Sequence, residues 1–255
     1  MSDLDFPRPY FPTGDEDAVA SDAEFNKVIK SETTLALPED LMETLLGGLG
    51  GSFAYTEHGG LDSAWSKCNL FLAKNGEYGS YGRIIQNYIR EDVELNIDSI
   101  FLSNKILGMS SAPRICPNWN KFDYETRVKF WVWTFAAISA IESSCAWDVK
   151  GIKGPNDWTS GLLQLERGYK LRARRGPHCA GVSPADIKKP YGNLRCGMDI
   201  MKQQLVTPNE NGEPEFDGQL YPGPGMMAKS YWLKLRKVNG GTIGGLMRRF
   251  NPCFN

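Results

Sequence analysis

The chain has 255 residues, of which 41% are hydrophobic and 23% charged, and its formal net charge is -1. This length suits one large domain or two modest ones with a sizeable core. The near balance of charge excludes a broad basic surface of the kind that binds nucleic acid or an anionic membrane, so neither is an expected partner.

Residues 1–22 mix acids with scattered Pro and Gly and hold few apolar side chains. They predict an extended or partly disordered lead-in. Met1-Ser2-Asp3-Leu4-Asp5-Phe6 has no basic n-region and no apolar h-region, so an export leader is expected to be cleaved or left out of this chain. Residues 23–46 read as helical in two pieces. The second starts at Leu37-Pro38-Glu39-Asp40, with Pro in the first turn beside acids, and Gly47-Gly48 and Gly50-Gly51 end it. Gly82–Arg90 and Ile97–Leu107 predict further short helices. Residues 23–110 together read as a helical accessory or cap region without a chemical motif.

Residues 123–144 form the strongest predicted helix. Val128, Trp131, Val132, Phe135, Ile138 and Ile141 recur at helical spacing, while Phe130, Trp133, Ala136, Ala137 and Ala140 fill the rest of the circumference. Such a helix belongs at the centre of a core. Trp131 and Trp133 fall on opposite faces, so at least one is core. The apolar run Phe130–Ile141 is too short to cross a bilayer, and no transmembrane segment is expected. Asp148 to Trp158 is rich in turn formers and predicts short strands or a hairpin. Asn193–Leu205 reads as a helix, 207–225 as a long Pro/Gly loop bordering a cleft, and 226–237 as a last helix closed by Gly240-Gly241. The fold class is mainly α with a small β-hairpin region.

Cys68, Cys116, Cys145, Cys179, Cys196 and Cys253 are widely spaced and include no C-x-x-C. The pattern argues against a zinc ribbon or a thioredoxin motif and favours structural disulfides in an oxidising compartment over buried thiols in a cytosolic protein. The pairing stays open. With only His58 and His178, a His-rich metal site is not expected, and no cofactor is implied. His178 beside Cys179 is the one setting for a nucleophilic Cys, and disulfides are the preferred reading of both Cys145 and Cys179.

Glu142 stands at the end of the apolar helix, in Ala140-Ile141-Glu142-Ser143-Ser144. A carboxyl beside so much apolar surface loses hydration when ionised, which favours its protonated form. That is what a general acid for a glycosidic oxygen requires. A helix-terminal Glu facing water is the plainer alternative. Trp147 and Trp158 flank the following turns, either to stack on sugar faces or to plug the core. The basic run Lys170, Arg172, Arg174 and Arg175 is either a solvated face or an attractant for anionic polymers.

Downstream comes Gly161-Leu162-Leu163-Gln164-Leu165, then Asn193-Leu194-Arg195-Cys196-Gly197. With Glu142-Ser143 these pieces resemble the soluble lytic transglycosylase and goose-type lysozyme families, over residues 125 to 205. Those families carry Glu-Ser at the end of a buried helix, then Gly-Leu-x-Gln-[Ile/Leu], then Asn-[Ile/Leu]-x-x-Gly. The resemblance implies a lysozyme-like helical catalytic domain over 111–255 and an enzyme that cuts peptidoglycan glycan strands. The bond would be the β-1,4 link between N-acetylmuramic acid and N-acetylglucosamine, and an enzyme for N-deacetylated peptidoglycan is one specific form.

The resemblance makes Glu142 the catalytic acid/base. Ser143, Gly161, Leu162 and Gln164 would border the substrate, and Asn193 and Gly197 would be structural. The Ala-Tyr-Asn motif of many lytic transglycosylases is absent. Tyr231, in Ser230-Tyr231-Trp232, is the nearest substitute. Asp157 would position water for hydrolysis. Without such a group the sugar's own 6-hydroxyl attacks and gives a 1,6-anhydro product. The expected setting is periplasmic or secreted, as a monomer. The alternatives are a non-catalytic glycan-binding protein of the same fold and a hydrolase of chitin-type glycans.

Overall fold

The computed structural model describes residues 53–95, 97–104, 106, 116–153, 158–166, 176–205, 207–208, 214–215, 231–232 and 242–255. The helices expected over 23–46, Asp157, and the basic residues from 170 to 175 lie outside them. All the described residues fall in the compact unit Met42–Asn255. Two short strands, β1 (Ala54–Tyr55) and β2 (Leu61–Asp62), pair antiparallel. A 3-10 turn over Ser66–Leu70 follows, then helix α1 (Ser80–Glu94). Helix α1 contains the predicted Gly82–Arg90 and buries Tyr81, Ile85, Tyr88, Ile89 and Asp92, the stripe that i, i+4 and i+3 spacing places on one face.

The helix expected over Ile97–Leu107 is not there. Its described residues hold one 3-10 turn, Ile100–Leu102, between extended Ser99 and Ser103. The carbonyls that a helix would use internally are taken by side chains from elsewhere. Phe101 O accepts from Trp131 Nε1 at 2.6 Å, Ser103 O from Trp119 Nε1 at 2.8 Å, and Leu102 O from the Arg127 guanidinium. A buried indole N–H left unpaired costs about 1–3 kcal/mol, more than one turn of short helix returns.

Helix α2 (Tyr124–Ser143) is the central element. Asp123 caps it, its carboxylate accepting from Thr126 N at 2.8 Å. Every residue from Phe130 to Ala140 is buried. Trp131 and Trp133 are both core, the second donating to Leu246 O at 2.9 Å. Strands β3 (Lys150–Lys153), β4 (Trp158–Ser160) and β5 (Leu165–Glu166) form an antiparallel three-stranded sheet in the region that predicted a hairpin.

Next come the short helix α3 (Pro177–Ala180), a 3-10 turn over Asp186–Lys188, and helix α4 (Pro190–Leu205), which begins on a proline just before the predicted Asn193. Within the expected loop 207–225, β6 (Thr207–Pro208) and β7 (Pro214–Glu215) pair antiparallel. Of the helix expected at 226–237, only Tyr231 and Trp232 are described, and they form a bend. The final helix is instead α5 (Thr242–Met247), packed on α2. The molecule is mainly helical with small sheets.

Elements on both sides of residue 111 share one core, in which α1 packs against α2 and α4. Polar side chains join α1 to α4. Tyr88 donates to Asp199 at 2.7 Å, and Arg195 holds Glu91 through two bonds of 2.7 and 2.6 Å. All six cysteines are paired, as Cys68–Cys145, Cys116–Cys253 and Cys179–Cys196. Cys179 is therefore no nucleophile, and the His178 ring is engaged by Asp199 at 2.8 Å. Among the described residues no helix is long and apolar enough to cross a membrane.

Candidate active site

Glu142 lies in the last turn of α2 and is half-buried, between half-buried Ile141 and buried Ser143. The helix ends abruptly. Ser144 and Cys145 both adopt left-handed backbone, with φ of 52° and 58°. Ser144 N donates back to Ala140 O at 3.1 Å and Cys145 N to Ser139 O at 2.9 Å, closing the helix end at a left-handed residue. Left-handed conformations at non-glycine residues cost on the order of 1 kcal/mol each and persist only where surroundings enforce them. Here the disulfide from Cys145 to Cys68 does so, just beyond Glu142.

The turn Gly161–Gln164 sits against this helix end. Ser143 Oγ donates to Leu162 O at 2.8 Å and also lies 3.0 Å from Ser139 O in its own helix. From the other side, Asn193 of α4 grips the same turn. Its Oδ1 accepts from Leu163 N at 2.8 Å, while its Nδ2 donates to Ser160 O at 2.9 Å and Ile187 O at 2.8 Å. Trp232 Nε1 donates to Leu163 O at 3.2 Å.

Both motif glycines have steric reasons. Gly161 has φ of 76°, and a Cβ there would stand 2.4 Å from Asn193 Nδ2. A Cβ on Gly197 would stand 2.1 Å from Leu163 Cδ1, so this glycine lets the turn's leucine bury against α4.

Gln164 also has left-handed backbone, with φ of 47°. Its amide is engaged at both ends. Nε2 donates to Gly161 O at 2.9 Å, and Oε1 accepts from Thr159 Oγ1 at 2.8 Å. Tyr231 joins the other end of the turn, its hydroxyl oxygen accepting from Glu166 N at 3.1 Å. Leu162 is fully buried beneath the turn.

Beside the turn opens a groove of about 330 Å³, lined by Trp147, Asp148 and Val149, by Gly151 of β3, by Trp158 to Ser160 of β4, and by Gly161 and Lys188. Trp147 is 43% exposed and Trp158 48%, which rules out the core-plug reading for both. Asp148 pairs with Lys67 at 3.6 Å. Glu142 and Gln164 do not line this groove. Ser143, one residue after Glu142, bonds the Leu162 carbonyl next to Gly161 on its wall.

Ser143, Gly161, Leu162 and Gln164 thus come together at the end of the helix that carries Glu142, with Asn193 and Gly197 behind them. Lys188 was not among the residues expected at the site. Nothing local marks it, because it reaches the groove only through the contact of the Asp186–Lys188 turn with Asn193.

No protein-family model matches the chain, and no curated protein matches it. Among solved structures the chain is similar to one described as Bd0314 DslA wild-type form 2, at 17% identity and a TM-score of 0.46, over 68% of this chain and 92% of that one. Two Glu-to-Gln mutants of the same protein match in the same way. One is 18% identical with a TM-score of 0.46 over 68% and 92% of the two chains. The other is 17% identical with a TM-score of 0.47 over 68% and 91%.

Proposed function

We propose that this chain is a peptidoglycan-cleaving glycosidase with a lysozyme-like catalytic region, and that Glu142 is its general acid/base. The bond cut is the β-1,4 link between N-acetylmuramic acid and N-acetylglucosamine. One observation carries the reading furthest. The hydrogen bond from Ser143 to Leu162 ties the helix end bearing Glu142 to a glycine turn on the wall of a tryptophan-flanked groove. A backbone turn and two exposed indoles on one groove, tied to the helix end that carries an acid, suit a polysaccharide, whose C–H faces stack on indole rings.

In this mechanism the Glu142 carboxyl gives its proton to the bridging oxygen as the C1–O bond breaks. The sugar left behind carries oxocarbenium character. The Glu142 carboxylate then takes a proton from the attacking oxygen. If that oxygen belongs to water, Asp157 would orient it and the product has a reducing end. If it is the sugar's own 6-hydroxyl, the product is a 1,6-anhydro sugar. Gly161 brings the chain's backbone near the sugar. Ser143 and Leu162 hold that backbone in place, and Gln164 and Tyr231 border the bound strand. Three disulfides suit an oxidising compartment, which supports a periplasmic or secreted site of action.

The test is muropeptide release from sacculi by the parent and by Glu142→Gln. Release by the parent and its loss in the variant support the reading, and unchanged release by the variant removes Glu142 from the mechanism. Mass spectrometry of the products separates hydrolysis from the anhydro route. Acetylated and deacetylated sacculi run side by side report which form is cut.

A further inference from the structure

We propose that Lys188 is a specificity-determining residue that pairs with a carboxylate substituent on the bound glycan, so that the groove prefers an acidic amino-sugar strand to a neutral one. The inference rests on the reading of this groove as a glycan cleft.

The backbone of Lys188 is held in place. It ends the 3-10 turn Asp186–Lys188, whose Ile187 is fully buried and whose Ile187 carbonyl accepts from Asn193 Nδ2 at 2.8 Å. The same Asn193 amide grips the Gly161 turn through Ser160 O. The base of the lysine and the groove wall are therefore fixed by one side chain. Only the flexible stem and the ammonium remain to adapt to a ligand.

The charges around it are already matched. Lys189, next in sequence, pairs with Asp186 Oδ1 at 2.9 Å, and Ser183 Oγ donates to the other oxygen of that carboxylate at 2.6 Å. The Lys189 bond first, and then the Ser183 bond, hold the Asp186 carboxyl below its usual range. Asp148, on the groove wall, faces Lys67.

Among the described residues Lys188 has no ion-pair partner, although it lines the groove with Trp147, Trp158, Thr159 and Ser160. A sugar stacked on an indole turns its equatorial substituents toward the rim. A carboxylate ether there would meet the ammonium, whereas a sugar with only hydroxyl and acetamido groups would offer it no counter-charge.

Binding is measured by titration calorimetry in the Glu142→Gln background, so that no strand is cut. The probes are muramic-acid-containing oligosaccharides and the same oligosaccharides with their carboxyls amidated. We expect the acidic probe to bind more tightly than the amidated one. Lys188→Met should abolish that preference by weakening only the acidic probe, by about threefold to tenfold, and Lys188→Arg should keep it. The preference should shrink as salt rises.

Equal weakening of both probes by Lys188→Met overturns the proposal, as does a preference that survives it, or binding of neither probe. The catalytic reading fails separately. A parent that releases muropeptides without any carboxylate preference overturns only the role of Lys188. A parent that keeps the preference but releases nothing supports Lys188 and removes the catalysis.

Discussion

Ser143 Oγ and the carbonyl oxygen of Leu162 lie 2.8 Å apart, and this bond joins the end of the central helix to the glycine turn. In Ser143→Ala the buried Leu162 carbonyl loses its side-chain donor, which costs about 1–2 kcal/mol. Urea unfolding should register that loss. Muropeptide release should fall mainly in kcat, because the acid and the turn lose register while the groove's indoles remain. A variant with parental stability and parental kcat would show that the bond does not hold the two together.

Gly161 and Gly245 allow an internal comparison. Gly161→Ala forces a Cβ to within 2.4 Å of the Asn193 amide on a left-handed backbone. We expect a loss of about 2–4 kcal/mol, read by thermal unfolding. At Gly245, inside α5, a Cβ meets nothing within 4 Å. There Gly245→Ala should be neutral or stabilising by up to about 1 kcal/mol. Equal effects at the two positions would mean that Asn193 does not constrain the turn.

The disulfide Cys68–Cys145 spans 77 residues and holds two left-handed residues in place directly after Glu142 and Ser143. The double variant Cys68→Ser/Cys145→Ser should lose about 4 kcal/mol on the chain-entropy model. It should also lose activity at temperatures where it stays folded, as the helix end relaxes. Circular dichroism and muropeptide release on the same sample separate the two effects. Full activity in the folded variant would reduce this disulfide to a stability element.

The pair Glu91–Arg195 gives the fold an acid-dependent contribution. The Arg195 hydrogen bond holds the Glu91 carboxyl below its ordinary unfolded-state value. The stabilisation is therefore fully present above that unfolded-state value and disappears as pH falls through the lower folded-state value. Thermal unfolding should find Glu91→Gln less stable than the parent near neutral pH, with the gap closing in acid. Glu91 is partly exposed, so solvent screening keeps the gap small. A gap that widens in acid would contradict the pairing.

Trp147→Ala and Trp158→Ala should leave the melting temperature close to the parent's, since both rings are nearly half exposed and lie outside the core. Each should raise KM for glycan strands by up to about tenfold through lost stacking. A fall in stability without a change in KM would return these rings to a structural role.

Much of the core and part of the site are local properties of the chain. Asp123 and the unbroken apolar positions through Ile141 determine helix α2 almost to the residue, because capping and 3.6-residue periodicity act over neighbouring residues. The order Ser143, Gly161 to Gln164, Asn193 to Gly197 singles out residues that meet in space.

The tertiary structure alone decided what depends on distant partners. Ile97–Leu107 has helical spacing but surrenders its carbonyls to Trp131, Arg127 and Trp119. The cysteine pairing, the exposure of Trp147 and Trp158, and the arrival of Lys188 at the groove likewise follow from packing. So does the need for glycine at 161, where the obstacle is an amide on another helix. Periodicity records which side of an element faces the core. It carries no record of which buried donor, far along the chain, will claim a given carbonyl, and at this site those long-range hydrogen bonds set the geometry.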